Sequence, residues 1–507
     1  MVSNKEAKLS CSDKYFNIVF FIATILFASL SISRIFYSTY SLCDSLEHLN
    51  AAYFVQSGLI PYRDFLEHHN PLLWYIIAPL TKILEGNIII LPIARSVAVI
   101  GYFACVYLMY IINTKFVYGK KVAKYSTLVL ISLPIWHEIS GMRPDIFMML
   151  CILSALYLFY SYLEKKSTVK LVACYTLLSI SFLFLQKALF LIFGFSIFNL
   201  WYIYKKEIKI KDVIIASIVG LVPLMLFFLY LWHNKILGDY YYYNYTFNTI
   251  MREYYDDYNT VPFVLKTLFF CSFAVACKQY SNSMQTLPIF TLTTCLFLSL
   301  LYFFPHTHYS IIYFLLTSVY LGKFCEDIKI FSNRTAFVII MSVLFIGILF
   351  SYPFKNERLA YQKDMRTKKY VNTIEQDKMV VPLTEMIYTI YRKPINYNWF
   401  GYYAVSVMDV LYTPGRHFDF NAFLKEKMPD YIVYEPTMWI ILYDHIVINR
   451  MEWFRKRNRV ILKKMQEYPE LRSRLNLIDA DFWKIDLNWI KENYTQIENT
   501  DVYKRNN

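Results

Sequence analysis

Residues 145–204 read DIFMMLCILSALYLFYSYLEKKSTVKLVACYTLLSISFLFLQKALFLIFGFSIFNLWYIY. Three apolar runs, 145–163, 170–185 and 188–204, are broken only by Glu164-Lys165-Lys166 with Lys170 on one side and by Gln186-Lys187 on the other. A helix rising 1.5 Å per residue needs about 20 apolar residues to cross a hydrocarbon core of about 30 Å. Runs of this length, separated by connections of a few polar residues, are a membrane-spanning hairpin repeated, and they set the reading of everything around them.

Working outward, further runs lie at about 15–33, 88–113, 122–137, 212–232, 261–277, 285–304, 309–322 and 335–352. The expected fold is an all-α polytopic membrane domain of about 11 transmembrane helices over residues 1–352, followed by a small extracytoplasmic α/β domain over 353–507. With the N-terminus cytoplasmic, inner loops collect Lys115, Lys120, Lys121, Lys165, Lys166, Lys205, Lys206, Lys209 and Lys211, and outer loops hold few cations, as the positive-inside rule demands. The first apolar run reads as a retained anchor. Pro71–Leu84 is too short to span and, starting at Asn70-Pro71, reads as a helix lying at the membrane surface. The tail turns charged, with short apolar runs such as Met379-Val380-Val381 and Tyr431-Ile432-Val433-Tyr434, and a helical stretch around Phe454–Glu467.

Composition narrows the class. Hydrophobic residues make up 57% of the 507 and aromatics 19%, above the ~45–50% apolar share of soluble domains. The net charge of +14 belongs to loop anchoring; no basic element with interleaved aromatics suggests nucleic acid. Most of the nine cysteines, among them Cys105, Cys151, Cys174, Cys271, Cys277 and Cys295, sit in apolar runs, so neither a disulfide framework nor paired metal-ligand spacing is present.

The chemistry-bearing residues concentrate in the first outer loop. Asp44, Glu47 and His48 lie at i, i+3 and i+4, on one helical face. After a turn marked by Gly58 and Pro61 come Arg63, Asp64, Glu67, His68 and His69. Asp44-x-x-Glu47 is also a capping box, and Asn70 a helix cap; yet capping needs one carboxylate, and this loop has several beside three histidines. A divalent metal is compatible with the Glu/His group, but Glu67-His68-His69 in direct succession do not share one helical face, so no residue is assigned as a metal ligand and no cofactor is certain. Later outer connections add Glu138, Arg143-Pro144-Asp145, Gln186-Lys187, and His306 with His308. Pro144 suits a helix start and Asp145 its positive end; Lys187 suits snorkelling. Charges at span ends facing one side of a membrane equally mark a site. Transfer of a sugar from a lipid phosphate needs a base for the acceptor hydroxyl and cations for the leaving phosphate. Asp44 supplies the base, with Asp145 and Glu47 as further candidate catalytic acids. Arg143 and Lys187 supply the cations, with Arg63, Asp64, Glu67, His68 and His69 as substrate-binding candidates. A base on the acceptor side implies inversion at the anomeric carbon.

The stretch CDSLEHLNAAYFVQSGLIPYRDFLEHHNPLLWY, together with Arg95, Arg143-Pro144-Asp145 and Gln186-Lys187-Ala188, resembles the bacterial branch of the protein mannosyltransferase-like superfamily, which includes the lipid A aminoarabinose transferases. The family usually has an Asp-Glu pair where this chain has Asp44-Ser45. The resemblance implies a GT-C fold, an Asp-centred outer loop, a polyprenyl-phosphate sugar donor, a lipid, glycan or protein acceptor, and residence in a bacterial inner membrane. Tyr397, Trp399 and Tyr402 are candidates for sugar stacking, although core packing also explains them. Competing readings are a transporter or flippase for lipid-linked saccharides, which should place charges at mid-membrane depth and broken helices in paired positions, a non-catalytic assembly component, and an oligosaccharide polymerase or ligase.

Overall fold

The computed structural model describes residues 11–37, 43–65, 67–87, 89–132, 139–249, 263–280, 283–303, 309–328, 373–375, 378–382, 420–433, 486–498, 500 and 502–506. The predicted span 335–352, the stretch Phe454–Glu467, and Glu138, His306, His308, Tyr397, Trp399 and Tyr402 lie outside them.

The described chain is mostly helical. Its helices are α1 (Cys11–Tyr37), α2 (Cys43–Gln56), α3 (Leu72–Ile83), α4 (Ile90–Ile112, prolonged by a widened turn at Asn113–Val117), α5 (Lys120–Ser132), α6 (Pro144–Lys165), α7 (Thr168–Phe184), α8 (Ala188–Tyr204), α9 (Ile210–Gly220), α10 (Val222–His233), α11 (Leu237–Tyr241, prolonged by a widened turn at Tyr242–Phe247), α12 (Phe263–Gln279), α13 (Leu287–Phe303) and α14 (Tyr309–Asp327). Where its residues are described, each predicted span up to 309–322 falls on helix. By length and composition, Phe16–Ser33, Ile90–Val117, Pro144–Lys165 and Ile210–His233 can each cross a bilayer, and Thr168–Phe184, Ala188–Tyr204 and Leu287–Leu301 are shorter apolar helices. The predicted span 212–232 falls on α9 and α10, which meet at Leu221 and run on as the one apolar helix Ile210–His233. Pro223, which offers no N–H, removes one hydrogen bond at this junction.

The chain divides into two compact units, one of Met1–Ser41, Pro92–Phe228 and Thr260–Leu359, the other of Leu42–Leu91, Leu229–Asn259 and Ala360–Asn507. In the first unit, helices approach closely where one side lacks a Cβ. A Cβ on Gly322 of α14 would stand 2.6 Å from the backbone nitrogen of Ser126 in α5, and one on Gly220 would stand 2.6 Å from Tyr175 Cβ in α7. Backbone at that distance cannot swing aside, so Gly322→Ala should push the two helices apart and cost about 1–3 kcal/mol, the usual range for overpacking. A lower melting temperature in detergent than the wild type tests this. Two buried pairings tie helices of this unit: Tyr162 and Thr168 both donate to the buried Asp212 (2.9 and 2.8 Å), and Arg95, 3% exposed, donates to the carbonyl of Ile35 at 3.0 Å. That guanidinium satisfies a carbonyl in the last turn of α1, where the helix dipole is negative.

In the second unit, α3 packs on α2. Leu73, Trp74, Ile77, Ala78 and Thr81 form its buried face, whereas Tyr75, Ile76 and Ile83 stay exposed. The described residues of the tail form a four-stranded sheet of order β1-β2-β4-β3, from β1 (Val380–Pro382), β2 (Tyr431–Val433), β3 (Tyr494–Gln496) and β4 (Val502–Arg505). β1 and β2 run parallel with Val380 opposite Tyr431, and the other pairings are antiparallel. Two short helices, α15 (Phe420–Lys427) and α16 (Leu487–Asn493), accompany it, the latter capped by Asp486, which accepts from the Trp489 N–H at 3.0 Å. The two apolar runs singled out in the tail sequence are the paired strands β1 and β2.

Candidate active-site groups

Two groups of ionisable residues stand out, one in each unit. The first is built by α2 and the loop 57–71. α2 carries Asp44 in its first turn; the side chain of Asp44 lies outside the described residues. One turn on, Glu47 and His48 are both 1% exposed. Glu47 Oε1 lies 3.5 Å from His69 Nδ1 and 3.7 Å from His68 Nδ1, so this carboxylate faces the loop beyond the helix. His48 Nδ1 accepts from the indole N–H of Trp74 at 3.1 Å. Indole is a donor only, which fixes the His48 proton on Nε2 when the ring is neutral.

The loop holds its shape by three means. Asp64 Oδ2 accepts the backbone N–H of Ile60 at 2.7 Å while Arg63 grips both oxygens (2.8 and 2.9 Å). The Arg63 hydrogen bond is the main reason that the Asp64 carboxyl is held below its usual range. Tyr62 takes φ +69°, a left-handed conformation that few bulky residues adopt. It is pinned by its hydroxyl, which donates to the carbonyl of His69 at 2.7 Å. Burial pushes the Tyr62 phenol well above its usual range, so it remains a neutral donor. Finally, α11 and its widened turn reach across: Tyr240 donates to Asn70 Oδ1 at 3.0 Å and Asn248 to the carbonyl of His68 at 2.9 Å. Widened helical turns of this kind are frequent at functional sites.

The result is that Glu67, His68 and His69 meet Glu47. Glu67 is 1% exposed; its Oε2 accepts from the His68 backbone N–H at 3.0 Å and lies 3.3 Å from His69 Nδ1. Burial raises the Glu67 carboxyl, but the neighbouring Glu47 carboxyl and the two imidazoles outweigh it, and the group is held well below the usual carboxylate range. Residues 67–70 are not helical, so the sequence argument that successive side chains cannot share a helical face does not apply to them.

The second group lies in the first unit. Pro144 is the first residue of α6, which places Asp145, 8% exposed, in the positive first turn. Gln186-Lys187 is the short link from α7 to α8. Lys187 Nζ stands 3.7 Å from Asp145 Oδ1 and 3.3 Å from the centre of the Tyr309 ring at the start of α14. This ammonium is therefore held by a carboxylate and a π face, an arrangement stronger than one exposed ion pair. Arg143, half-buried, immediately precedes Pro144.

Of the predicted site residues, Glu47, Glu67, His68 and His69 form one cluster, Arg63 and Asp64 form a turn clasp at the rim of the same loop, and Asp145 and Lys187 form the second group. Sequence reasoning did not find Trp74, Tyr62, Tyr240, Asn248 or Tyr309. Only Tyr309 carried a signal, being the first residue of a span after an outer hairpin.

Comparison with known proteins agrees with the fold. Residues 68–233 match the family described as dolichyl-phosphate-mannose-protein mannosyltransferase. Among solved structures, ArnT from Cupriavidus metallidurans, crystallised with undecaprenyl phosphate, superposes with a TM-score of 0.54 at 10% identity, covering 84% of this chain and 94% of that one. The Archaeoglobus fulgidus oligosaccharyltransferase, tethered to an acceptor peptide, gives a TM-score of 0.42 at 10% identity over 84% of this chain and 69% of that one. No curated protein matches the chain. Residues 68–233 are thus similar to that family, and the chain shares the fold of ArnT.

Proposed function

We propose that the protein is an inverting glycosyltransferase that moves a sugar from a polyprenyl-phosphate carrier to an acceptor hydroxyl at the outer face of a bacterial inner membrane. The observation that carries this reading is Lys187, an ammonium held by Asp145 and Tyr309 within the segment that matches the mannosyltransferase family. The bound undecaprenyl phosphate of ArnT supports the choice of carrier.

In the reaction, the acceptor oxygen bonds to the anomeric carbon as the bond from that carbon to the phosphate oxygen breaks. The hydroxyl proton passes to Asp44 and later to water. The carrier leaves as a phosphate monoester with one more negative charge than the diester had, so the leaving group needs cations rather than a proton donor. Lys187 supplies a point charge and Arg143 a planar fork; stabilising charge where it develops lowers such barriers by about 3–4 kcal/mol per donor group. Asp145 orients Lys187. Glu47, Glu67, His68 and His69 hold the loop that follows α2, and Arg63 with Asp64 shape its turn. The tail over 353–507 serves the acceptor on the same side of the membrane.

The purified protein in lipid, given labelled polyprenyl-phosphate sugars and hydroxyl acceptors, should form a glycoside whose anomeric configuration is opposite to that of the donor. NMR of the product checks this; a retained configuration contradicts single-step transfer.

A further inference from the structure

We infer that Glu47, Glu67, His68 and His69 form a four-ligand binding site for one divalent transition-metal ion of the zinc class. Each residue offers one ligand atom, and these atoms all lie within 4.8 Å of one another. The inference rests on this geometry and not on the proposed transfer reaction.

Spacing is the first argument. A tetrahedral ion with ligands at about 2.0–2.2 Å sets its donor atoms about 3.3–3.6 Å apart. The three imidazole–carboxylate separations in the cluster are 3.3, 3.5 and 3.7 Å. All three exceed the ~2.7–2.9 Å of a charge-assisted hydrogen bond, and the shortest, His69 Nδ1 to Glu67 Oε2 at 3.3 Å, is a long one. Neighbouring donors around an octahedral magnesium ion at about 2.1 Å would sit about 3.0 Å apart, and magnesium prefers oxygen throughout. Two imidazoles and two carboxylates suit zinc or cobalt instead.

Burial is the second argument. Glu67 is 1% exposed, and its Oε1 has no hydrogen-bond partner among the described residues. An unpaired carboxylate oxygen away from water is costly unless a cation meets it. The backbone of both histidines is also held from outside the cluster. Tyr62 fixes the carbonyl of His69, Asn248 that of His68, and the His48 ring, itself bonded to Trp74, stands against His69 at 4.9 Å. An ion bound there would tie α2 to the loop that leads into α3.

The test uses full-length protein purified without a histidine tag, stripped with chelator and dialysed. Zn2+ is then titrated by calorimetry, Co2+ is followed by the visible absorption of a tetrahedral site, and Mg2+ serves as the comparison. Expected are one equivalent of Zn2+ or Co2+ per chain, no uptake of Mg2+ at the same concentration, and a melting temperature that falls on stripping and recovers on Zn2+ addition. Glu67→Gln and His69→Ala should weaken Zn2+ binding by ~100-fold or more, since loss of a supporting group alone costs ~10–100-fold. Because these buried substitutions can also damage the fold, uptake by the wild-type chain decides the matter. A stripped, folded wild type that takes up neither Zn2+ nor Co2+ in stoichiometric amount overturns the site and leaves a hydrogen-bonded Glu/His cluster. Full uptake by both variants overturns the ligand assignment.

Discussion

Asp44→Asn should lower kcat for sugar transfer by about 10²–10⁴, the range lost when a general base is removed, with the KM for the donor nearly unchanged. Asparagine keeps the size and hydrogen-bonding reach of the aspartate and is equally at home in the first turn of a helix, where Asp44 stands in α2. The following turn is anchored by Glu47 against His68 and His69, so the helix has no need of Asp44 to stay in place. The variant should therefore fold, elute and melt like the wild type. Steady-state release of the carrier phosphate checks this. Activity within a few-fold of wild type in a folded Asp44→Asn protein would remove Asp44 from the chemistry and turn attention to Asp64 and Asp145.

Lys187→Ala should lower kcat/KM for the lipid donor by about 10²–10³, which corresponds to the ~3–4 kcal/mol of a preorganised group that stabilises developing charge. The geometry distinguishes this role from simple anchoring. A snorkelling lysine reaches for water, whereas Lys187 Nζ lies 3.3 Å from the centre of the Tyr309 ring and 3.7 Å from Asp145. Tyr309→Phe keeps the π face and should cost little by comparison. Acceptor KM should stay the same in Lys187→Ala, as the proposed role at the phosphate requires. Donor kcat/KM equal to wild type in Lys187→Ala would count against the role.

Much of the membrane part was legible because its physics is local. Twenty apolar residues in succession have one stable arrangement in a bilayer, and the positions of Lys165-Lys166 and Gln186-Lys187 mark where chains leave it. Pro71 and Pro144 placed the starts of α3 and α6 for the same reason: a ring that fixes φ and lacks an N–H is suited to the first turn.

The site was legible in its residue types and not in its contacts. Asp44 to His69 was visibly dense in charge, but a capping box and a side-chain cluster look alike in sequence; whether Glu47 turns back on its helix or out to His68 and His69 depends on the path of the loop. That path is set by Asp64 bonding Ile60, by Tyr62 at positive φ, and by Tyr240 and Asn248 far along the chain. Periodicity reports none of these. Lys187 was found from its place at a span end, whereas its partner Tyr309 comes from another helix, and only packing brings the two together.

The measurement closest to the central claim follows the carrier itself. The protein is reconstituted in vesicles with a polyprenyl-phosphate sugar labelled in both lipid and sugar, and an acceptor is supplied outside. Expected is loss of label from the carrier in step with its appearance on the acceptor, leaving free polyprenyl phosphate, in wild type and not in Asp44→Asn. Carrier that changes leaflet with its sugar still attached, in both proteins alike, would contradict the enzyme and make the chain a transporter of lipid-linked saccharide.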